Sequence, residues 1–187
     1  MKKLVFGLAM ALCLGLSAQS LMAAEAEEVK SGPEVGSQPA AFTVEDVTGP
    51  AKGESLCYRC RYSGRPTIAI FARDMDANVQ DLVKQIDATV AKNSDQKLSA
   101  FVVMLSDTPA DCKSELEKVA AANKIEETPL TVFKNSKGPS PYKVSKDAKV
   151  SVMMWNAEGV KVKHAYSANP SKEQISTIVA DTKKILE

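Results

Sequence analysis

The chain has 187 residues, with 24 lysine and arginine side chains against 23 aspartate and glutamate, for a formal net charge of +1. That balance argues against nucleic acid or an anionic membrane surface as partner, because either would call for a basic excess that is absent. The length suits one domain with a real core rather than two.

Lys2 and Lys3 precede an apolar stretch, 4–16, and a small-residue stretch, 17–24. Basic, apolar and small in that order is the pattern of a secretory signal peptide, and the apolar stretch is too short for a comfortable membrane span. Residues 1–24 are therefore assigned as a signal peptide, cut after Ser20, Ala23 or Ala24, the last two favoured. The mature chain is then expected in the periplasm of a bacterium or secreted, with no membrane span of its own. Cys13 follows Leu12 inside the apolar stretch and leaves with the peptide. Three of the four cysteines remain, Cys57, Cys60 and Cys112. An oxidising compartment lets a disulfide persist, and an odd count leaves one thiol over.

Residues 25–38 are acidic, rich in Gly, Ser and Pro, and without periodicity, so they read as a flexible lead-in. The globular domain is placed at 39–187. Phe42-Thr43-Val44-Glu45-Asp46-Val47 alternates as a strand does, Thr48-Gly49-Pro50 and Lys52-Gly53 make a turn, and 55–62 returns as the second arm of an N-terminal β-hairpin. The apolar run Thr67–Ala72, bounded by Gly64/Pro66 and Arg73-Asp74, reads as a buried strand. Val79, Leu82, Val83, Ile86 and Val90 then fall on one stripe of a helix over 76–92. A second apolar run, 100–105, is followed by Thr108, Pro109 and Asp111, a helix start with Thr108 as cap, running to about Asn123. Residues 129–133 make a short strand. Residues 150–155 and 160–166 pair across Asn156-Ala157-Glu158-Gly159, and Ser171 with Gln174 forms a capping box for the last helix. Alternation of buried strands with helices predicts an α/β domain with a central mixed sheet, parallel crossovers and helices on both faces.

One pair of residues carries the candidate chemistry. Cys57-Tyr58-Arg59-Cys60 is the only C-x-x-C, and Arg59, Arg61 and Arg65 surround it. Positive charge lowers a thiol pKa and favours the attacking thiolate, which makes Cys57 and Cys60 candidates for a redox dithiol. Tyr58 and Tyr62 offer flat contact surface to a partner. The equally weighted alternative is a structural disulfide stapling the turn before the strand. Zinc would need four ligands, and the mature chain offers three cysteines and His164 on separate segments. Neither a metal nor a cofactor is expected. Cys112, spaced helically from Leu116, Val119 and Ala120, reads as a core thiol. Met153-Met154-Trp155 reads as strand core, His164 as a sheet residue, and Asp74/Asp76 as a helix N-terminal cap.

Three stretches together resemble the redoxins of the thioredoxin fold, that is, the alkyl hydroperoxide reductase/thiol-specific antioxidant family and related exported thiol-disulfide proteins. Residues 36–49 resemble their opening pattern, G-x-x-x-P-x-F-x-[VL]-x-D-x-x-G, with the proline one place early, at Pro39. The strand Thr67–Ala72 is similar to the one that delivers their active site, and 151–162 is similar to their late hairpin. The resemblance implies a thioredoxin-like fold and thiol-disulfide exchange with a thiol- or disulfide-bearing protein partner, through Cys57 and Cys60. By analogy with other C-x-x-C pairs, Cys57 attacks and Cys60 resolves. This sequence departs from the family in two places. The family's reactive cysteine belongs near Arg73-Asp74-Met75-Asp76-Ala77-Asn78, which has none, so peroxidase chemistry is not expected. The family's cis-proline belongs near Ala148-Lys149, which has none; Thr128-Pro129 is the alternative location. The second function weighed is a non-catalytic binding or structural module that kept the fold.

Overall fold

The computed structural model describes residues 26–187, so the signal-peptide assignment lies outside the described residues. The two long apolar runs form β3 (Thr67–Ala72) and β4 (Ser99–Leu105), buried at every position. They are parallel neighbours, and β4 is parallel to β5 (Leu130–Phe133). Interior parallel strands are covered on both faces, which is why these runs are continuous rather than alternating. The late hairpin, β6 (Val150–Asn156) and β7 (Gly159–Tyr166), adds antiparallel to the far side of β3. The N-terminal hairpin, β1 (Val44–Asp46) and β2 (Ser55–Leu56), adds antiparallel beside β5. The resulting order is β2-β1-β5-β4-β3-β6-β7.

Among the described residues four α-helices accompany the sheet: α1 (Tyr58–Arg61), α2 (Ala77–Lys92), α3 (Pro109–Asn123) and α4 (Lys172–Asp181). The Asp76 carboxylate accepts the Val79 N–H at 2.9 Å and so caps α2. Ser171 and Gln174 cap α4 reciprocally. Thr108 takes the cap position of α3, but its side chain makes no capping bond; the Ser106 hydroxyl instead accepts the Thr108 N–H at 3.0 Å.

Helices lie on both faces, very unequally. β3, β4 and β5 follow one another in a single direction across the sheet, so two crossovers of the same hand put α2 and α3 on the same face. α4 joins them there. Val79, Leu82 and Ile86 of α2, Leu116 of α3 and Ile175 and Ile178 of α4 share one core with Ile68, Ile70, Val102, Leu130, Val152 and Met154. The opposite face is roofed by α1, by the stretch 39–42 and by the 134–149 connection. Eight of the nine aromatic residues among the described ones, all but Tyr166, gather there. Flat rings fill the shallow space that a full helix would otherwise occupy. Met153 and Trp155 point to this face and Met154 to the helical one, as alternation requires.

One expectation is corrected. The described part of the lead-in, 26–38, is fixed to β7 rather than loose. The Val29 N–H donates to the Ala165 carbonyl, the Ser167 N–H to Glu27, and Gly36 and Ser37 exchange bonds with Val160. Gly159 allows this close crossing: a Cβ there would lie 2.7 Å from the Gly36 carbonyl oxygen, and its φ is +116°. At the alternative location for the cis-proline, the Thr128-Pro129 bond is trans, as are all peptide bonds among the described residues.

Candidate functional site

The C-x-x-C occupies a single helical turn inserted between β2 and β3. Cys57 is the N-cap of α1, and its Sγ accepts the Cys60 N–H at 3.1 Å. Arg61 N–H donates to Cys57 O and Tyr62 N–H to Tyr58 O, both at 2.9 Å. One such turn brings residues i and i+3 onto the same side, and Cys57 and Cys60 are joined as a disulfide with Cα atoms 5.2 Å apart. Cys60 is exposed and Cys57 half-buried. Gly64, at φ +76°, turns the chain back so that Pro66 enters β3.

The residue between the cysteines anchors the turn. Tyr58 is 1% exposed, so it is not the contact surface that its place in the motif suggested. Its ring stacks on Phe101 at 5.4 Å and lies 5.3 Å from Tyr62. Its hydroxyl donates to Asp46 Oδ2 at 2.8 Å. The Asp46 carboxylate also accepts the Gly49 N–H at 2.7 Å and the Ala51 N–H at 2.8 Å. Asp46 is itself 1% exposed, and this set of three donors is what a buried carboxylate requires. A Cβ on Gly49 would fall 2.2 Å from the Tyr58 hydroxyl and 2.6 Å from the carboxylate, so only glycine fits. The D and G of the opening pattern thus meet beneath the C-x-x-C. The D-x-x-G spacing was the signal in the sequence, yet nothing in it connected that pair to Tyr58. Burial, opposed by the nearby Arg61 and Arg65, pushes the Tyr62 hydroxyl up to about 12. Burial and the Asp46 contact push the Tyr58 hydroxyl further in the same direction.

The stretch where the resemblance places a reactive cysteine is tied into the fold instead. Arg73 donates from Nε to the Ala148 carbonyl at 2.8 Å and from Nη2 to Ser145 at 3.1 Å, and Nη1 reaches Ser136. It thereby pins the 134–149 connection. Asp74 pairs with Lys149 at 2.7 Å and accepts from Asn169 at 3.0 Å. Burial alone would raise the Asp74 pKa, but the Lys149 and Asn169 hydrogen bonds outweigh it and the net shift is downward. Met75, 3% exposed, packs into the core on the helical face. The Asp74–Lys149 ion pair therefore links the two stretches near which the resemblance places a cysteine and a proline.

The remaining candidates lie apart from Cys57 and Cys60. Cys112 is a free thiol, half-buried against the helical core, with Sγ 3.7 Å from the Thr108 carbonyl. It starts α3 at the carboxyl end of the parallel strands, whereas the disulfide precedes β3 at their amino end. His164 Nε2 lies 3.0 Å from Asp181, which also pairs with Lys184. Among the described residues no three His, Cys, Asp or Glu side chains converge as a metal site would require. No described helix is long and apolar enough to cross a membrane.

The chain matches no protein-family model and no curated protein. Its structure does match solved ones. A candidate thiol:disulfide interchange protein, DsbE, from Chlorobium tepidum superposes with a TM-score of 0.61 at 14% identity, covering 82% of this chain and 99% of that one. An exposed lipoprotein thioredoxin from Streptococcus pneumoniae gives 0.55 at 15%, covering 78% and 100%. A peroxiredoxin 6 from Arenicola marina gives 0.55 at 10%, covering 81% and 74%. Identities this low establish a common fold, the thioredoxin-like fold of the redoxins, and leave the chemistry to the residues of this chain.

Proposed function

We propose that this protein is an exported thiol-disulfide exchange protein acting through Cys57 and Cys60 on thiol- or disulfide-bearing proteins in the cell envelope. The observation that carries the reading is the geometry of the pair: an exposed Cys60, and a Cys57 sulfur that already receives the Cys60 N–H. A hydrogen bond to a thiolate lowers its pKa and marks Cys57 as the sulfur best held in the anionic form. In the reduced protein the Cys57 thiolate attacks one sulfur of a partner disulfide. The S–S bond breaks, the departing partner sulfur takes a proton, and a Cys57–partner disulfide forms. Cys60, losing its proton, then attacks Cys57. The partner leaves as a dithiol and Cys57–Cys60 closes, so two electrons and two protons pass to the partner. Run in reverse, the same steps oxidise a partner dithiol.

The interchange protein and the exposed thioredoxin that share the fold support this class of activity. The basic, apolar and small-residue order of 1–24 supports export, and the mature protein is expected to begin between Leu21 and Glu25. N-terminal sequencing of envelope protein tests that point, and a cytoplasmic product retaining residues 1–16 would overturn it.

The reduction potential of the pair tests the chemistry. A value of about −120 to −270 mV fits exchange, and one below about −300 mV fits a structural bridge. The second reading, a stapled and catalytically silent fold, is favoured by the Arg73 and Asp74 network, which has replaced the fold's usual reactive position. Insulin reduction coupled to dithiothreitol separates the two: a wild type no faster than its Cys57→Ser variant would select the silent fold.

A further inference from the structure

The chain uses lysine almost everywhere it needs a cation. Only four of its 24 basic residues are arginine, and three of these, Arg59, Arg61 and Arg65, fall in one seven-residue window around the disulfide. The fourth, Arg73, is fully engaged by carbonyl groups. The longer stretch Leu56 through Arg65 contains no acidic residue. Arg61 and Arg65 are exposed, and among the described residues neither guanidinium donates a hydrogen bond or pairs with a carboxylate. Arg59 uses its Nε on the Pro39 carbonyl at 2.8 Å and leaves its remaining donors unpaired. Beside this turn lies an open groove of about 310 Å³, bordered by Tyr62, Arg65, Lys97 and Leu98. The single carboxylate on its lining is Glu127. Asp46 lies beneath Tyr58, already satisfied by three donors.

Unpaired guanidiniums differ from unpaired ammoniums. Their planar fork binds carboxylates through two parallel hydrogen bonds and is more weakly hydrated, so it loses less on contact. Three of them around a reactive sulfur form a receptor for carboxylates that arrive together with a thiol. We propose, resting on the exchange reading above, that the partner is an acidic polypeptide segment whose cysteine is flanked by Asp or Glu. Its carboxylates meet Arg61 and Arg65, and the chain continues into the groove toward Lys97. The cations extend from Arg59, beside Pro39, to Lys97 across the groove. An extended acidic chain meets all of them, whereas a small acidic thiol meets one or two.

The test uses the oxidised mature protein and cysteine peptides of one length, flanked by Glu, Gln or Lys, with reduced glutathione as the small anionic thiol. The rate of Cys57–Cys60 reduction is compared per thiolate, since acidic flanks raise the thiol pKa of the peptide itself. At low ionic strength the Glu peptide is expected to react at least about tenfold faster than the Lys peptide, with the difference falling within about threefold in 0.5 M salt. Arg61→Glu/Arg65→Glu is expected to invert the preference. Anisotropy of labelled serine-for-cysteine versions of the same peptides reads the preference without any exchange. Equal rates and equal binding across the three peptides would overturn the acidic partner while leaving exchange intact. Glutathione equalling the Glu peptide per thiolate would overturn the polypeptide. Binding of the Glu peptide without exchange by any thiol would support the receptor and remove the exchange reading.

Discussion

The contact between Tyr58 and Asp46 sets how firmly the C-x-x-C turn is held, and its strength can be measured. Asp46→Ala removes three hydrogen bonds to a charged acceptor, each worth about 1.5–3 kcal/mol. The Gly49 and Ala51 N–H groups lie in a half-exposed turn and regain water. The Tyr58 hydroxyl, 1% exposed as a residue, does not. The expected loss is therefore about 3–5 kcal/mol, less than three full bonds, and a fall in Tm on the order of 10 °C for a domain of this size. Tyr58→Phe keeps the stacking on Phe101 and both N–H bonds and is expected to cost about 1–2 kcal/mol. The double variant should fall short of additivity by about 1–2 kcal/mol, because the two side chains share one bond. Urea unfolding followed by fluorescence of Trp155, the only tryptophan and 5% exposed, reads all three variants. A coupling near zero, or an Asp46→Ala loss below about 1 kcal/mol, would refute the anchoring argument.

Three further outcomes are expected. Cys60→Ser should accumulate a mixed disulfide on Cys57, seen by mass spectrometry after alkylation, whereas Cys57→Ser should accumulate none; trapping by the second variant alone would exchange the two roles. Unfolded tyrosine ionises near 10 while Tyr62 stays neutral in the folded protein until about 12, so stability should decline as pH rises between those values, and Tyr62→Phe should remove about 1–2 kcal/mol of that decline in pH-dependent urea melts; a variant that follows the wild-type profile would contradict the burial. Cys112→Ser should cost about 1 kcal/mol in the same melts and leave insulin reduction unchanged, and a loss of exchange would bring the two ends of the sheet into one mechanism.

The fold was legible wherever a local rule and the tertiary structure agree. The fully apolar runs of β3 and β4, the stripe on α2 and the Ser171 capping box each state their own role. The pairing of Cys57 with Cys60 follows from a spacing that one helical turn closes. Legibility failed where long-range contacts decide. α1 is four residues long, too short for a periodicity, and nothing in its sequence records that Tyr58 is fully buried against Phe101 while Tyr62 is half-buried. The composition of 26–38 is that of a linker, but its glycines and serines serve close packing: the Ser31 hydroxyl lies 3.0 Å from that of Ser151 and accepts the Ser145 N–H at 3.0 Å. The crowding of α2, α3 and α4 onto one face depends on strand order, which no single segment records.

The crossing of 26–38 over β7 also bears on how the molecule avoids its own kind. An open sheet ends in two margins whose free N–H and C=O groups can pair with another chain. One margin here is β2, only two residues long. The other, β7, has eight residues and would be the more adhesive, but the bonds from Val29 and Gly36 and the bonds to Glu27 and Ser37 occupy both of its ends. The stretch that looks most dispensable in composition is therefore a self-complementary cover. A protein trimmed back to Pro39 would keep its disulfide, its aromatic roof and its helical core, yet would present a bare β-edge to every other copy in the compartment.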